Sequence, residues 1–364
     1  AGMHPRDICR MNSLLKHLRD KGNTVLVVEH DKDVISIADY VIDVGPGAGQ
    51  EGGEIVFAGS YQELLESGSL TGNAMLASLP VKIKTRKAAG SLPVRGASLH
   101  NLKNVNVDIP LGIMTVVTGV AGSGKSTLIS QVFARQYEKD IVMVDQGPIT
   151  ATNRSTPASY LGFFDEIRKV MARESGKADS LFSFNSAGAC PVCGGKGIIV
   201  TELAFMDPIV TECEACCGKR YNEEALACTY KGKNIVELLE MTASQAMEVF
   251  EDAKIRKHLN VMKQVGLSYL TLGQPLSTLS GGERQRVKLA KNLGKKGSII
   301  VMDEPTTGLH ASDIRNLLNL FDLIVSRGNS LVVIEHNLDV MKQADWIIDI
   351  GPDGGKNGGE VVFE

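Results

Sequence analysis

Apolar positions along this chain recur in two rhythms. The segments "IMTVVTGV", "SIIVMDEP" and "LVVIEHN" carry unbroken apolar runs closed by Gly, Asp or His, the pattern of parallel strands covered on both faces. "TVLVVEH", near the start, predicts another such strand. Between these runs, "RDICRMNSLLKHLRDKG", "TLISQVFARQ", "SYLGFFDEIRKVMARES" and "DAKIRKHLNVMKQVG" predict helices. "RGASLHNLKNVNVDIPLG" predicts strands joined by polar turns. Alternating buried strands and helices of this kind specify an α/β fold.

The same pattern occurs twice. With Gly2 laid on Gly308, His4 meets His310, Asp7 meets Asp313, and "VVEHDKDV" lies over "VIEHNLDV", so that His30 falls on His336. The register then holds without a gap to Phe57 and Phe363. Chance similarity would drift, so the chain carries a duplicated module. Nothing precedes Ala1, and the first copy therefore reads as the tail of a module whose beginning lies upstream, as expected of a fragment. The expected organisation is residues 1–79 for that tail and a linker at 80–93, "PVKIKTRKAAGSLP". The second module would take 94–149 and 296–364, interrupted by an insert at 150–295 with a Cys and Gly rich part at about 185–222.

Composition narrows the class. At 364 residues, with 43% hydrophobic and 22% charged side chains, there is material for two or three domains with cores. No apolar run approaches the roughly 20 residues of a membrane-spanning helix, and no signal peptide is recognisable, so a cytoplasmic protein with no membrane partner is expected. A formal net charge of -3 means that nucleic-acid binding would need a local basic surface.

"GVAGSGKST" lies behind a strand and ahead of a helix, the context that a phosphate-binding loop requires. Gly119, Gly122, Ser123 and Gly124 let backbone N–H groups turn toward phosphates at a helix N-terminus, with Lys125 reaching the β and γ phosphates and Ser126 and Thr127 following; Ser126 is placed to ligate Mg2+. A plain glycine-rich turn is the alternative. Downstream, Asp303 at a strand end can hold magnesium, and Glu304 beside it can orient or deprotonate water, although such pairs are often only solvated. "LSTLSGGERQRVKLA" supplies Ser280, Gly281 and Gly282 before a helix. Ser280 with Glu283 also reads as a capping box, and His336 as a structural histidine.

Of seven cysteines, four form two Cys-x-x-Cys pairs: Cys190 with Cys193, and Cys213 with Cys216. Four thiolates at this spacing suit tetrahedral Zn2+ better than a redox pair. Cys217 is a competing ligand or a spare thiol, and Cys9 and Cys228 read as buried small residues.

Taken in order, these motifs resemble the ATP-binding cassette superfamily. The resemblance makes Gln146, in "VMVDQGP", the Q-loop glutamine, "LSGG" the signature, Glu304 the catalytic base, "TTGLH" the D-loop and His336 the γ-phosphate sensor. "AGMHPRDI" then becomes the D-loop of a first cassette and His30 its histidine loop. Each ATP would be gripped by the phosphate loop of one cassette and the signature of another. A fragment should therefore bind ATP through Lys125 yet hydrolyse it weakly unless two copies pair.

A four-cysteine ribbon between Q-loop and signature is where one family departs from the transporters. With "FSFN" before the first pair, "GKRYN" after the second, and "LGQPLSTLSGGERQRVKLA", essentially the whole chain resembles the C-terminal portion of the UvrA family, damage-sensing ATPases of nucleotide excision repair. That resemblance implies a P-loop NTPase of ABC ATPase type with an inserted helical signature domain and a zinc-ribbon module. It also implies ATP, Mg2+ and Zn2+ as cofactors, and double-stranded DNA, a second copy of the chain and the UvrB repair subunit as partners. Arg154, Arg168, Lys196, Lys219 and Arg220 are the candidate DNA contacts, with a solvated basic rim as the alternative. The stretch between "GKST" and "DQGPI" is short, and Arg284 stands where a small residue is usual in the family. These departures resemble UvrA-like paralogs linked to drug resistance, a second functional reading; the ATPase subunit of a transporter is a third.

Overall fold

The apolar runs of the second copy become the inner strands of one sheet. The computed structural model describes all residues except 1–4, 47–51, 148, 150–153, 204, 205, 294, 295 and 310, with only the backbone for 5, 202, 203, 206, 207, 311 and 312. In chain order the strands are β1 (Val41–Gly45), β2 (Glu54–Gly59), β3 (Gly90–Ala97), β4 (Val105–Leu111), β5 (Met114–Thr118) and β6 (Ile141–Val144). β7 (Ile198–Leu203), β8 (Met206–Glu212), β9 (Ile299–Asp303), β10 (Ser330–Ile334), β11 (Trp346–Gly351) and β12 (Glu360–Phe363) follow.

The main sheet has the order β12-β11-β5-β10-β9-β6. All neighbours are parallel except β12, which closes the edge antiparallel to β11. Central β5 and β10 are buried at every position, which is why their sequences show no polar alternation. Val117, Val301, Val332 and Ile348 share a core with Leu128 and Phe133 of the helical run Thr127–Gln136. This run opens in π-helical turns directly behind the phosphate loop. β3 and β4 form a separate antiparallel pair over the same core.

The chain divides into two compact units, residues 1–147 with 292–364, and residues 148–291. In the first unit the duplication is visible residue by residue. Helix Pro5–Asp20 matches helix Ala311–Ser326 at a constant offset, and the β1–β2 hairpin matches β11–β12. Even the break in hairpin register recurs, between Asp43 and Val44 and between Asp349 and Ile350.

Several expectations need correction. Residues 24–30 form no strand, and Leu26 and Val28 are each 88% exposed. Their counterpart β10 is paired on both sides, by β5 and β9, whereas among the described residues the first copy has no strand equivalent to either. A buried strand needs neighbours to take up its backbone hydrogen bonds. The expected linker 80–93 ends early, because β3 begins at Gly90 and pairs with Leu111. Its first part is held down: Lys82 N–H donates to the Lys342 carbonyl (2.8 Å), and Lys82 and Arg86 both reach the Asp345 carboxylate. Cys9 is exposed, since helix Pro5–Asp20 turns neighbouring Ile8 inward and a residue one step along points about 100° away. The repeat places Arg315 at the same position. Cys228 is half-buried, its thiol donating to the Glu224 carbonyl (3.4 Å).

The second unit holds helices Phe164–Ser175, Ala253–Gln264 and Gly281–Asn292, and the β7–β8 hairpin with the cysteine pairs at its base. The predicted helix from Ser159 is two, Pro157–Leu161 and Phe164–Ser175, divided at Gly162 with φ 86°.

Candidate nucleotide site and metal centre

The phosphate loop turns between the end of β5 and the helix beginning at Thr127. Gly119, Gly122 and Gly124 have φ of 135°, 74° and 108°, a region in which a side chain is strained. A Cβ on Gly119 would also lie 2.0 Å from the Ile350 carbonyl oxygen. The loop is braced from outside, with Gly355 N–H donating to the Gly122 carbonyl (3.0 Å), Gly359 N–H to the Ser123 carbonyl (3.0 Å) and Asn101 Nδ2 also to Gly122 (3.0 Å). Lys125 folds back so that Nζ donates to the carbonyls of Gly119 (2.9 Å) and Val120 (2.8 Å). Burial holds its pKa below the usual lysine value, against the pull of Glu304 and Asp303. Ser126 is exposed at the start of the helix. The first copy also touches this loop, where Asp7 accepts from Ala121 N–H (3.4 Å), and the β11–β12 connection, where Arg6 pairs with Asp353 (3.5 Å).

Opposite, β9 ends at Asp303. Burial, with repulsion from Glu304, pushes the Asp303 carboxyl up to about 6. Glu304 adopts φ 44°, a left-handed conformation that non-glycine residues rarely take. Its N–H still bonds to the Ile334 carbonyl (2.9 Å), so the twist turns its side chain out of the strand line. The carboxylate lies 3.5 Å from His336 Nε2, and Thr307 Oγ1 donates to it (3.5 Å). The His336 contact holds the Glu304 carboxyl below its ordinary value against the effect of burial. Gln146 Nε2 donates to the Glu304 carbonyl (3.1 Å). One unit thus brings Lys125, Gln146, Asp303, Glu304 and His336 together. Sequence reasoning passed over Glu335, which is 1% exposed and bonds to both Thr306 and His336 N–H. His310 and residues 1–4 of the two D-loop segments lie outside the described residues.

The signature lies in the second unit. Ser280 and Glu283 form the capping box, with Ser280 N–H donating to Glu283 Oε2 (2.7 Å) and Glu283 N–H to Ser280 Oγ (3.3 Å). Tyr269 Oη donates to the other Glu283 oxygen (2.7 Å). Gly281 and Gly282 form the first turn of the helix. Arg284 reaches back to the Leu279 carbonyl (2.5 Å), fixing the turn into the signature.

Cys190, Cys193, Cys213 and Cys216 are buried with all four Sγ atoms within 4.8 Å of one another. Cys193 Sγ and Cys216 Sγ are 3.7 Å apart, close to the ~3.8 Å edge of a tetrahedron with Zn–S bonds of about 2.3 Å. Gly197 N–H donates to Cys193 Sγ (3.2 Å), a bond that favours thiolate. The donor set therefore fits a structural zinc ion. Cys217 is exposed, its thiol donating to the Glu214 carbonyl (3.5 Å).

Of the five candidate DNA cations, three have structural duties. Arg220 stacks on Phe184 (3.9 Å) and donates Nε–H to the Gly195 carbonyl (3.1 Å), tying the two cysteine turns together. Arg168 pairs with Asp165 (2.6 Å) against Phe164. Arg154 donates to Asn185 (2.9 Å). Lys196 and Lys219 are exposed on the cysteine knuckles.

Comparison with known proteins sets this geometry in a family. Residues 102–307 match the ABC transporter family model. The chain is 47% identical over 397 aligned positions to UvrABC system protein A of Aquifex aeolicus and 46% identical to that of Methanothermobacter thermautotrophicus. These alignments cover 99% and 100% of this chain, and 43% and 42% of the relatives. The crystal structure of UvrA2 from Deinococcus radiodurans superposes with a TM-score of 0.92 at 41% identity, covering all of this chain and 48% of that one. The chain belongs to the UvrA family of ABC ATPases. It spans less than half the length of the UvrA relatives it matches. The UvrA relatives also carry residues that this chain lacks, since 397 aligned positions exceed its 364 residues.

Proposed function

We propose that the chain binds and hydrolyses ATP as part of a DNA-binding protein of the UvrA type that senses damage in nucleotide excision repair. The observation that carries this reading is the conjunction of a buried four-thiolate centre with a nucleotide site that holds Lys125, Glu304 and His336. Lys125 and the loop amides bind the β and γ phosphates, and Ser126 and Asp303 would hold Mg2+. Mg2+ bound there would supply positive charge to neutralise the transferring phosphoryl group. Glu304 orients and deprotonates the attacking water while His336 contacts the γ phosphate. Gln146, hydrogen-bonded to the Glu304 backbone, senses whether that site is filled. Ser280, Gly281 and Gly282 present N–H groups to the nucleotide of a facing cassette. Partners are double-stranded DNA, a second copy of the chain and UvrB, in the cytoplasm; the names of the relatives favour this reading over drug resistance. Lys196 and Lys219 are the stronger candidates for phosphate contact, because Arg154, Arg168 and Arg220 are already engaged in the ribbon and its surroundings.

The test separates the two centres. Cys213→Ser should weaken binding to a DNA duplex at least tenfold while ATP affinity stays within about twofold. Equal loss of both would contradict a dedicated DNA role for the cysteine module.

A further inference from the structure

We propose that Glu335 is a positioning residue for ATP hydrolysis: its buried carboxylate joins the turn after Glu304 to the histidine loop and thereby sets the Glu304–His336 geometry. This rests on the reading of Glu304 and His336 as the hydrolytic pair. Glu335 follows directly after β10 and is 1% exposed. Its Oε1 accepts from Thr306 N–H (3.0 Å) and from the Thr306 hydroxyl. Its Oε2 accepts from His336 N–H (2.6 Å) and Asn337 N–H (2.9 Å). Among the described residues no lysine or arginine pairs with it, so four hydrogen bonds alone compensate its burial.

Its place along the two strands explains what those bonds do. The β9–β10 ladder stops at Asp303 opposite Ile334, followed by one last bond from Glu304 N–H to the Ile334 carbonyl. Beyond that point no backbone ladder holds the two segments together, yet Glu304 and His336 must meet there. Glu335 continues the ladder with a side chain, one oxygen holding the residue two past Glu304 and the other holding His336 itself. Asn337 caps the next helix through Asp339 N–H (2.9 Å), so the carboxylate fixes the whole entry into that helix. Only an acceptor with two oxygens serves all four donors; an amide in its place would set N–H groups against N–H groups. The first copy keeps one of these bonds, with Glu29 accepting from His30 N–H (2.9 Å).

Steady-state hydrolysis and Mg·ATP affinity are measured for the full chain, Glu335→Gln and Thr306→Val, at matched protein concentrations. Loss of alignment at a reacting centre costs about 100-fold, so Glu335→Gln should lower kcat by about that factor with ATP affinity within about threefold. Thr306→Val removes one hydroxyl donor from the same carboxylate and should lower kcat about tenfold, again without loss of affinity. It carries the test alone if Glu335→Gln does not fold. An active wild type with either folded variant above half its kcat overturns the proposal, as does a parallel fall in affinity and kcat. A wild type without turnover at any concentration overturns the hydrolytic reading, and the proposal with it.

Discussion

The junction around Asp345 offers a prediction whose size follows from counted donors. The Asp345 side chain has no solvent exposure and receives Lys82 Nζ (2.6 Å), Arg86 N–H (2.9 Å), Met114 N–H (3.0 Å) and Arg86 Nη1 (3.4 Å). It therefore ties the segment after the first copy to the start of the phosphate-loop strand. Asp345→Ala orphans the Met114 amide, which is buried, and the Arg86 amide, which is partly so. A buried donor left without a partner costs about 1–3 kcal/mol, while the Lys82 and Arg86 cations lie near enough to solvent to rehydrate. The expected loss is about 3 kcal/mol, or a fall in Tm of roughly 6–12 °C for a unit of this size. Urea and thermal unfolding of the wild type and Asp345→Ala measure it. Burial pushes the Asp345 carboxyl upward, but the Arg86 N–H, the Lys82 ammonium and the Met114 N–H outweigh it and hold the folded value below the usual one. A depressed carboxylate contributes stability above its unfolded pKa of about 3.9 and loses it as pH falls through the lower folded value. The difference between wild type and variant should thus be constant from neutral pH to about 5 and shrink only below about 4. A difference under about 1 kcal/mol, or one that disappears by pH 6, would refute this account of the junction.

Other expectations follow from the two centres. Glu304→Gln should retain ATP binding and lower turnover at least about 100-fold if Glu304 is the general base; turnover within tenfold of wild type in single-turnover assays would contradict that role. Chelation of zinc should destabilise the cysteine module, seen as accelerated proteolysis at the β7–β8 hairpin, whereas ATP affinity through Lys125 should be unchanged. Arg220→Ala should loosen the same module, because it removes the stack on Phe184 and the bond to Gly195; duplex binding lost without any loss of protease resistance would show instead that Arg220 contacts DNA. Replacing both Lys196 and Lys219 with alanine should reduce the salt dependence of duplex binding by about two units of slope, and an unchanged slope would remove them from the interface.

The phosphate loop, the strand-end carboxylates and the four cysteines were legible in the sequence because each depends on local spacing within one turn or knuckle. The repeat was legible because it holds register over more than fifty residues, and helix Pro5–Asp20 and β1–β2 follow it in structure. Residues 24–30 misled for the opposite reason: an apolar run states that a strand wants burial, but pairing depends on neighbours elsewhere in the chain. Glu335 gives no signal in the sequence because, lying between an apolar strand and a histidine, it reads as the polar end of that strand; only the structure shows Thr306 arriving from another segment. Charge alone makes Arg168 and Arg220 candidates, and charge does not reveal that a neighbouring carboxylate or phenylalanine already occupies the side chain. Residue type alone makes Cys9 a buried position, whereas the repeat sets it opposite Arg315 and marks the position as solvent-facing.

Whether an ATP-driven UvrA-type machine reads damaged DNA is decided by equilibrium binding. The chain, carrying bound zinc and Mg·ATP, is titrated with one duplex with and without a bulky lesion across a series of salt concentrations. Affinities should fall with salt for both duplexes, as phosphate contacts require, with a constant preference for the lesion that reflects easier deformation of the damaged duplex. Equal affinities that fall together at every salt concentration would contradict damage sensing and leave a phosphate-binding ATPase.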